Sequence, residues 1–308
     1  MYFCGLMFKA LLVFWCLTTG FFSSEFLFAQ QSVHDSLKVT HPKRLEVLVL
    51  GITATYSAAL IGLNQVWYKE QGISTFHFFN DVPQWNQVDK FGHFYSAYHL
   101  SRIGNNLLRW ADVPPKKAAI YGSVMSQAMM VPIEILDGFS NEYGFSWGDI
   151  VANLSGATAF LTQELIWHEQ RIKPKFSFHT TGYADLRPSV LGQNINQQLI
   201  KDYNGHTYWF SVDIYSFLSE KSNFPKWLNL AIGYGADGMV YGRNGENTSH
   251  GFTSHRQFYL SPDVDLSHIR TNKKGIKTLL FIVDMIKIPM PTLEYTANKG
   301  FSFYFLYF

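Results

Sequence analysis

The sequence predicts an α+β protein, in which an N-terminal four-helix unit is followed by an antiparallel β-rich half. Before residue 173, apolar residues recur at intervals of three and four, which is the period of an amphipathic helix. After residue 174 they alternate with polar residues, and glycine and proline separate the runs. We therefore expect a signal peptide at 1–29, a helical unit at 30–173 and a β-rich domain at 174–308.

The N-terminus has the organisation of a secretory signal peptide. Lys9 precedes an apolar run that begins at Ala10, and small and polar residues lead to Ala29, after which we expect the cut. The alternative is an uncleaved anchor, which the shortness of the apolar run disfavours. Both cysteines, Cys4 and Cys16, lie inside this segment and lack the context of a lipid-attachment site. The mature chain would then have no disulfide and no thiolate ligand.

The composition indicates a protein of the cell envelope. The net charge is only +2, so no strong field attracts nucleic acid. Charged residues make up 16% of the chain and aromatic residues 17%, a balance that suits a protein beside a membrane. We expect an exported protein, periplasmic or associated with the outer membrane. We expect its partner to be a membrane surface or another envelope component. We expect no binding to nucleic acid, and the sequence identifies no protein partner.

Four helices are predicted in the first half, at about 42–68, 88–110, 115–137 and 149–171. The first has no formal charge between Glu46 and Lys69, which makes it a candidate membrane span. The third and fourth have uncharged stretches that look too short for easy spanning. If all four crossed the inner membrane, most lysines and arginines would face outward, against the positive-inside rule. We therefore expect a compact bundle on the outer side, with the first helix as a candidate anchor.

The second half predicts an antiparallel sheet. Alternating segments occur at 207–215 and 227–234, with a shorter candidate at 256–260, and the chain ends in an aromatic strand at 301–308. The segment 277–288 fits either a strand or a helix. A terminal aromatic strand is a feature of outer-membrane barrels, but the smallest of these needs about eight strands. Since the sequence offers about five, we expect a buried or peripheral sheet instead.

Polar side chains interrupt the apolar pattern at the ends of three predicted helices. Residues spaced by three or four along a helix share a face, so each of these helices presents its polar groups together. Because buried charges are costly unless they are paired, a converging cluster would need a reason. We expect one cluster of seven residues. Its members are Asp89, Lys90, His93, Glu134, Asp137, Asp149 and Asn153.

Three interpretations of this cluster remain open. In a structural network, Lys90 would pair with a carboxylate, and His93 and Asn153 would bond locally to fix the helix register. In a metal site, Asp89 and His93 at i and i+4, with a glutamate from a neighbouring helix, would suit zinc or another divalent ion.

In a catalytic or ligand-binding site, His93 and Glu134 would form the proton-transfer pair. An envelope hydrolase or metal-dependent enzyme would use these two residues with Asp89 and Asp149. The sequence predicts no cofactor, although the cluster leaves room for a divalent metal.

One further motif invites a hydrolase interpretation. Gly144-Phe-Ser146-Trp-Gly148 matches the G-x-S-x-G pattern of a nucleophile elbow. That elbow lies between a strand and a helix, whereas this segment follows a predicted helix. We therefore expect a turn here, and no serine nucleophile.

The same residues carry a family resemblance. The motif Asp89-Lys90-x-x-His93, with Glu134 and then Gly148-Asp149-x-x-x-Asn153-x-x-Gly156, resembles the VanZ-like pattern of the teicoplanin-resistance family. Longer segments of the sequence are similar to those of a family of predicted periplasmic proteins of unknown function, often lipoproteins. These segments are Phe78-Phe-Asn-Asp81, Glu134-Ile-Leu-Asp-Gly-Phe-Ser140 and Gly144-Phe-Ser-Trp-Gly-Asp-Ile-Val-Ala-Asn153.

The resemblance implies an envelope location and a helical core, and it implies no established activity. We therefore expect an uncharacterised envelope protein that acts through binding or structural support at a membrane surface.

Overall fold

The computed structural model describes residues 42–63, 72, 74–219 and 221–308, and the chain divides into two compact units. The first unit takes in the described residues up to Phe79 together with Ser101–Phe145, and the second takes in Asn80–Leu100 and Ser146–Phe308. The fold class is α+β, as predicted, with long helices before residue 167 and a sheet after it. The expected signal peptide at 1–29 lies outside the described residues.

Four long helices occupy the first half, close to the predicted positions. They are α1 (Pro42–Leu63), α2 (Val88–Trp110), α3 (Pro115–Gly138) and α4 (Trp147–Ile166). The prediction that the fourth helix continues to about residue 171 is wrong. The side chain of Gln163 bonds both to the amide and to the carbonyl of Ile172, at 2.8 and 3.0 Å, so the chain turns there into the first strand.

The first unit is held together by close helix contacts. The hydroxyl of Tyr56 on α1 donates to the carbonyl oxygen of Met129 on α3 at 2.7 Å. The C-terminal part of α2 approaches α3 at a glycine, because a Cβ atom on Gly122 would lie 2.6 Å from the amide nitrogen of Asn105. Pro115 begins α3, where its missing N–H costs no hydrogen bond.

Two helices of the first unit are long and apolar enough to cross a membrane. They cover Lys43–Gly62 and Pro115–Gly138, and only 11% and 33% of their most apolar windows are buried. The second corrects our expectation that the third helix would be too short for a span. Length and composition are the whole of this evidence, and the buried core helix of a soluble protein can pass the same test.

The second unit contains a six-stranded antiparallel sheet in which sequential strands are neighbours. Short helices α5 (Pro188–Leu191), α6 (Ile195–Lys201) and α7 (Asn244–Ser249) lie between strands, and α8 (Lys274–Val283) shows that the ambiguous segment begins as a helix. The predicted junction at Lys173 lies inside the first strand. The strands are β1 (Ile172–Phe178), β2 (His206–Val212), β3 (Leu228–Asp237), β4 (His255–Val264), β5 (Met290–Thr296) and β6 (Gly300–Tyr307).

The two faces of this sheet differ in chemistry. The face that carries Leu260 and Leu293, which we call the outer face, has mostly apolar side chains. The opposite face, which carries Ser261 and Thr292 and which we call the inner face, has mostly polar and buried side chains. The sheet curls enough that Tyr307 on β6 meets Thr207 on β2, with 2.9 Å between their hydroxyl oxygens. The inner-face rings of Trp209 and Tyr259 also pack on Tyr307.

The N-terminal part of α2 covers one end of the outer face. Phe91 stacks on Tyr234 of β3 with ring centroids 4.7 Å apart, and Val88 and Tyr208 are buried in the same cluster. On its other side this part of α2 packs against α4. The two helices approach closely at Gly156, and this contact brings the polar ends of both helices together.

Candidate functional site

The candidate site begins at a left-handed turn immediately before α2. Trp85, Asn86 and Gln87 have φ angles of 48°, 48° and 65°, a region that costs a non-glycine residue about 1–2 kcal/mol. Strain of this kind persists only where the surrounding structure enforces it, and such residues cluster at functional sites.

Hydrogen bonds from two strands and one loop hold this turn. The amide of Trp85 donates to the carbonyl of Gly242 at 2.8 Å. The hydroxyl of Tyr234 donates to the carbonyl of Asn86 at 2.5 Å, and the guanidinium of Arg256 donates to the side chain of Gln87 at 2.6 Å. The sheet therefore fixes where α2 starts, and with it the positions of Asp89 and Lys90.

Lys90 is the centre of the site. Its ammonium nitrogen lies 2.7 Å from an oxygen of Asp81, 2.9 Å from one of Asp89 and 2.7 Å from one of Asp149. The three carboxylates come from the loop before α2, from α2 itself and from the first turn of α4. Only 13% of the Lys90 side chain is exposed, so these ion pairs are shielded from water and from salt.

His93 lies one helical turn after Asp89 and joins the same site. Its Nε2 atom is 3.4 Å from Asp149, and its Nδ1 atom is 3.2 Å from the amide oxygen of the fully buried Asn153. Both ring nitrogens therefore have a partner on α4. The histidine is oriented in the way that an acid–base residue needs, and 22% of its side chain remains exposed.

The charges of the site shift the pKa values of its carboxyl groups in opposite directions. Burial, assisted by the charge of Asp149, raises the pKa of Asp81 to about 6. Burial also raises the pKa of Asp89. At Asp149, burial acts in the same sense, but His93 and Lys90 outweigh it and lower the pKa. Burial therefore moves the pKa of Asp81 closer to neutral pH than that of an ordinary carboxyl group.

The three carboxylates also have the spacing of a cation site. One oxygen from each lies within 4.8 Å of the others, and Oδ1 of Asp89 is buried with no hydrogen-bond partner among the described residues. In this structure the cation that they bind is the ammonium of Lys90. A divalent ion bound by the same oxygens would have to displace that ammonium, because two cations cannot share so small a space.

Ser146 has a structural part in the site. Its hydroxyl accepts the amide of Asp149 at 3.1 Å, which caps the N-terminus of α4, and it donates to Asp81 at 2.5 Å. The motif around Ser146 lies between α3 and α4, and Phe145 just before it forms an isolated parallel bridge with Phe78 rather than part of a strand.

The structure brings five of the seven expected site residues together in the second unit: Asp89, Lys90, His93, Asp149 and Asn153. The other two, Glu134 and Asp137, lie near the end of α3 in the first unit, where Glu134 is fully buried. The convergence of all seven, and the pairing of His93 with Glu134, stay predictions.

Sequence reasoning missed Asp81 as a member of the site. It lies in an irregular loop, so no helical spacing connected it with α2. The one indication in the sequence was that Asp81 belongs to the segment Phe78-Phe-Asn-Asp81, which carries part of the family resemblance.

A second charged network lies inside the sheet and was not expected. Lys173 pairs with Asp265 at 2.7 Å, and Lys175 pairs with Asp263 at the same distance. Lys175 and Asp263 are completely buried. Ser211 donates a further hydrogen bond to Asp263 at 2.7 Å. Lys173 and Lys175, where the sequence predicted the start of the β-rich domain, are therefore buried within the sheet.

Comparison with known proteins bears on the region of the site. Residues 77–163 match the model of a family described as "Predicted periplasmic lipoprotein (DUF2279)". The matched segment contains the turn before α2, all three carboxylates, Lys90 and His93. Searches of curated proteins and of solved structures gave no match. The protein is an exported one, periplasmic or membrane-associated, and the likeness to VanZ-like proteins stays a prediction.

Proposed function

We propose that this protein works at a membrane surface in the envelope, through binding or structural support, and that the outer face of its sheet contacts lipid. The observation that carries the proposal is the chemistry of that face. Away from α2 it exposes a continuous set of large apolar side chains, with Phe301 at 73% and Phe303 at 66% exposure. The other members of the set are Leu230, Ile232, Phe258, Leu260, Leu293 and Tyr295.

The inner face supports the same conclusion. In a sheet that faces water on one side, polar residues alternate outward and apolar residues inward. Here the order is reversed along β4, where exposed Leu260 lies between buried Tyr259 and Ser261, and along β5, where exposed Leu293 lies between buried Thr292 and Glu294. Such a reversal fits an apolar surrounding, since lipid takes the place of the protein core on the outer face.

The size of the apolar set also favours lipid over water. Soluble monomers rarely expose contiguous apolar patches beyond a few hundred Å². Two apolar helices in the first unit, α1 and α3, expose further apolar side chains, which agrees with a membrane location. A second copy of the chain or a protein partner is the competing occupant of the outer face, and the experiment distinguishes it from lipid.

The test places a fluorophore on the outer face. Cys4 and Cys16 are replaced by serine, and Phe303→Cys is labelled with an environment-sensitive dye in the full chain, reconstituted in phosphatidylcholine vesicles. Contact with lipid predicts a blue shift, and quenching by lipids with spin labels in their acyl chains. The matched control is Leu199→Cys, an exposed apolar position on α6.

A dye at Phe303→Cys that shifts to the blue but resists quenching by labelled lipids would mean a protein occupant, and would overturn the proposal. So would a dye that stays in water. The control dye at Leu199→Cys should stay unquenched, because α6 is not part of the outer face.

A second candidate function is an envelope hydrolase using His93, with Asp149 and Asp89 beside it. The specific observation in its favour is the orientation of His93 by Asp149 and Asn153 at its two ring nitrogens. Hydrolysis of chromogenic phosphate and carboxylate esters by the wild-type protein and by His93→Asn tests it. Equal rates would exclude this function for those substrates. A divalent metal in the site stays a proposal that elemental analysis of the purified protein checks.

A further inference from the structure

A concentration of positive charge lies between β4 and β5. Arg270, Lys273, Lys274 and Lys277 are all exposed, and no acidic residue occurs between residues 266 and 283. The whole chain has a net charge of only +2, so this segment is far more basic than the rest. Lys226, exposed before β3, adds a fifth cation close by. We call these five residues the basic segment.

The helix in this segment is amphipathic and has no buried residue along its fully described length. Ile276, Leu279 and Val283 are spaced by three and four residues, so they lie on one side of α8. Lys273 and Lys277 are separated by one turn on another side. A helix with exposed apolar residues on one side and lysines on the other is typical of the interface of a membrane.

A cavity of about 600 Å³ adjoins the start of this segment. Lys226 and Arg270 line it, together with His268 and Trp227. The carboxylate in its lining, Asp265, is buried and already paired with Lys173 at 2.7 Å, so the exposed charges of the cavity are positive. Arginine and lysine are the side chains that bind phosphate groups most strongly.

We propose that the basic segment binds the phosphate groups of anionic phospholipids. The proposal rests on the contact between lipid and the outer face proposed above, and it adds the class of lipid that is preferred. Charge complementarity indicates a phosphate ligand. The exposed Ile276 and Leu279 indicate that acyl chains lie beside it, which a free phosphate would not provide.

The experiment compares binding of the full chain to vesicles of phosphatidylcholine alone and to vesicles that also contain phosphatidylglycerol. Each lysine near an anionic surface contributes a factor of about five to binding. The triple variant Lys273→Gln, Lys274→Gln, Lys277→Gln should therefore lose about a hundredfold in affinity for the anionic vesicles. Its affinity for the neutral vesicles should not change, because its apolar surfaces are intact.

Two control variants make the result specific. The first substitutes three exposed basic residues outside α1, α3 and the basic segment, Lys221→Gln, Arg243→Gln and Lys299→Gln, and should bind anionic vesicles much as the wild type does. The second substitutes arginine for Lys273, Lys274 and Lys277, and should keep the preference for anionic lipid. Circular dichroism establishes that each variant is folded.

The outcomes separate the two proposals. Binding to neither kind of vesicle would overturn the lipid contact of the sheet. Equal binding to both kinds, or the same loss in the matched control variant, would overturn only the preference for anionic lipid. The last measurement adds inorganic phosphate to the protein bound to anionic vesicles. If phosphate displaces the protein from the vesicles more strongly than chloride of equal ionic strength, the ligand is a free anion and the lipid assignment is wrong.

Discussion

Lys90 and Asp149 are 59 residues apart in the chain, yet the ammonium of Lys90 lies 2.7 Å from a carboxylate oxygen of Asp149. This ion pair joins the first turn of α2 to the first turn of α4. Because Lys90 also binds Asp81 and Asp89, a single cation neutralises charges from a loop and two helices. The ion pairs that form the polar site therefore also hold α2 against α4.

Lys90→Met should strongly destabilise the protein. The substitution leaves three carboxylates without their cation, and breaking a buried ion pair from one side costs about 3–5 kcal/mol. Urea unfolding followed by circular dichroism measures the loss, with exposed Lys116→Met as a control that should change little. The loss should shrink at pH 5, because protonated carboxyl groups no longer repel. A loss that is independent of pH would show that charge is not its cause.

Asp81 should titrate near pH 6 in the folded protein. Its folded pKa is raised from 3.8 to about 6, so the folded chain holds this proton more tightly than the unfolded chain. The stabilising contribution is then present below about pH 4 and is lost as the pH rises through about 6. Carboxyl carbon NMR follows the group directly. Asp149→Asn should lower this pKa, because a neighbouring negative charge is removed, while burial keeps it above the ordinary value.

Gly156→Ala should separate α2 from α4. A Cβ atom at Gly156 would lie 2.1 Å from the carbonyl oxygen of Phe94, which is backbone and cannot rotate away. Overpacking of this kind typically costs about 1–3 kcal/mol. The matched control is Gly275→Ala in α8, where an added Cβ meets nothing within 4 Å. Equal urea midpoints for the two variants would contradict the close approach of the helices.

Lys175→Met should destabilise the sheet by about 3–5 kcal/mol, because it leaves the fully buried Asp263 without its closest cation. Adding Asp263→Asn should recover part of the loss, and the double-mutant cycle measures the coupling between the two residues. Lys299→Met is the control, since Lys299 is 51% exposed and its ion pair with Asp237 should contribute less than about 1 kcal/mol. Additive effects of the two buried substitutions would be evidence against the network.

The helices could be predicted because their signals are local. α2 and α3 have the expected bounds to within a residue or two, since apolar periodicity and Pro115 act over a few neighbouring positions. The end of α4 could not be predicted in this way. It depends on the amide of Gln163, which bonds to a strand residue that follows the helix.

The site was partly visible in the sequence. The i, i+4 spacing of Asp89 and His93 placed both on one face of α2, and both contribute to the site. Asp81 was missed because it belongs to a loop, where no periodicity relates one residue to the next. Lys173 looked like part of a junction, because its partner Asp265 is 92 residues further along the chain.

By itself, the sequence determined the fold class, the four helices, four of the six strands and the polar character of the helix ends, since each of these is set by residues a few positions apart; β1 and β5 were not predicted. Only the tertiary structure decided which carboxylates bind Lys90 and which face of the sheet is enclosed. A period of two shows that a strand has two different faces, but the curl of the sheet and contacts between distant residues decide which face is buried.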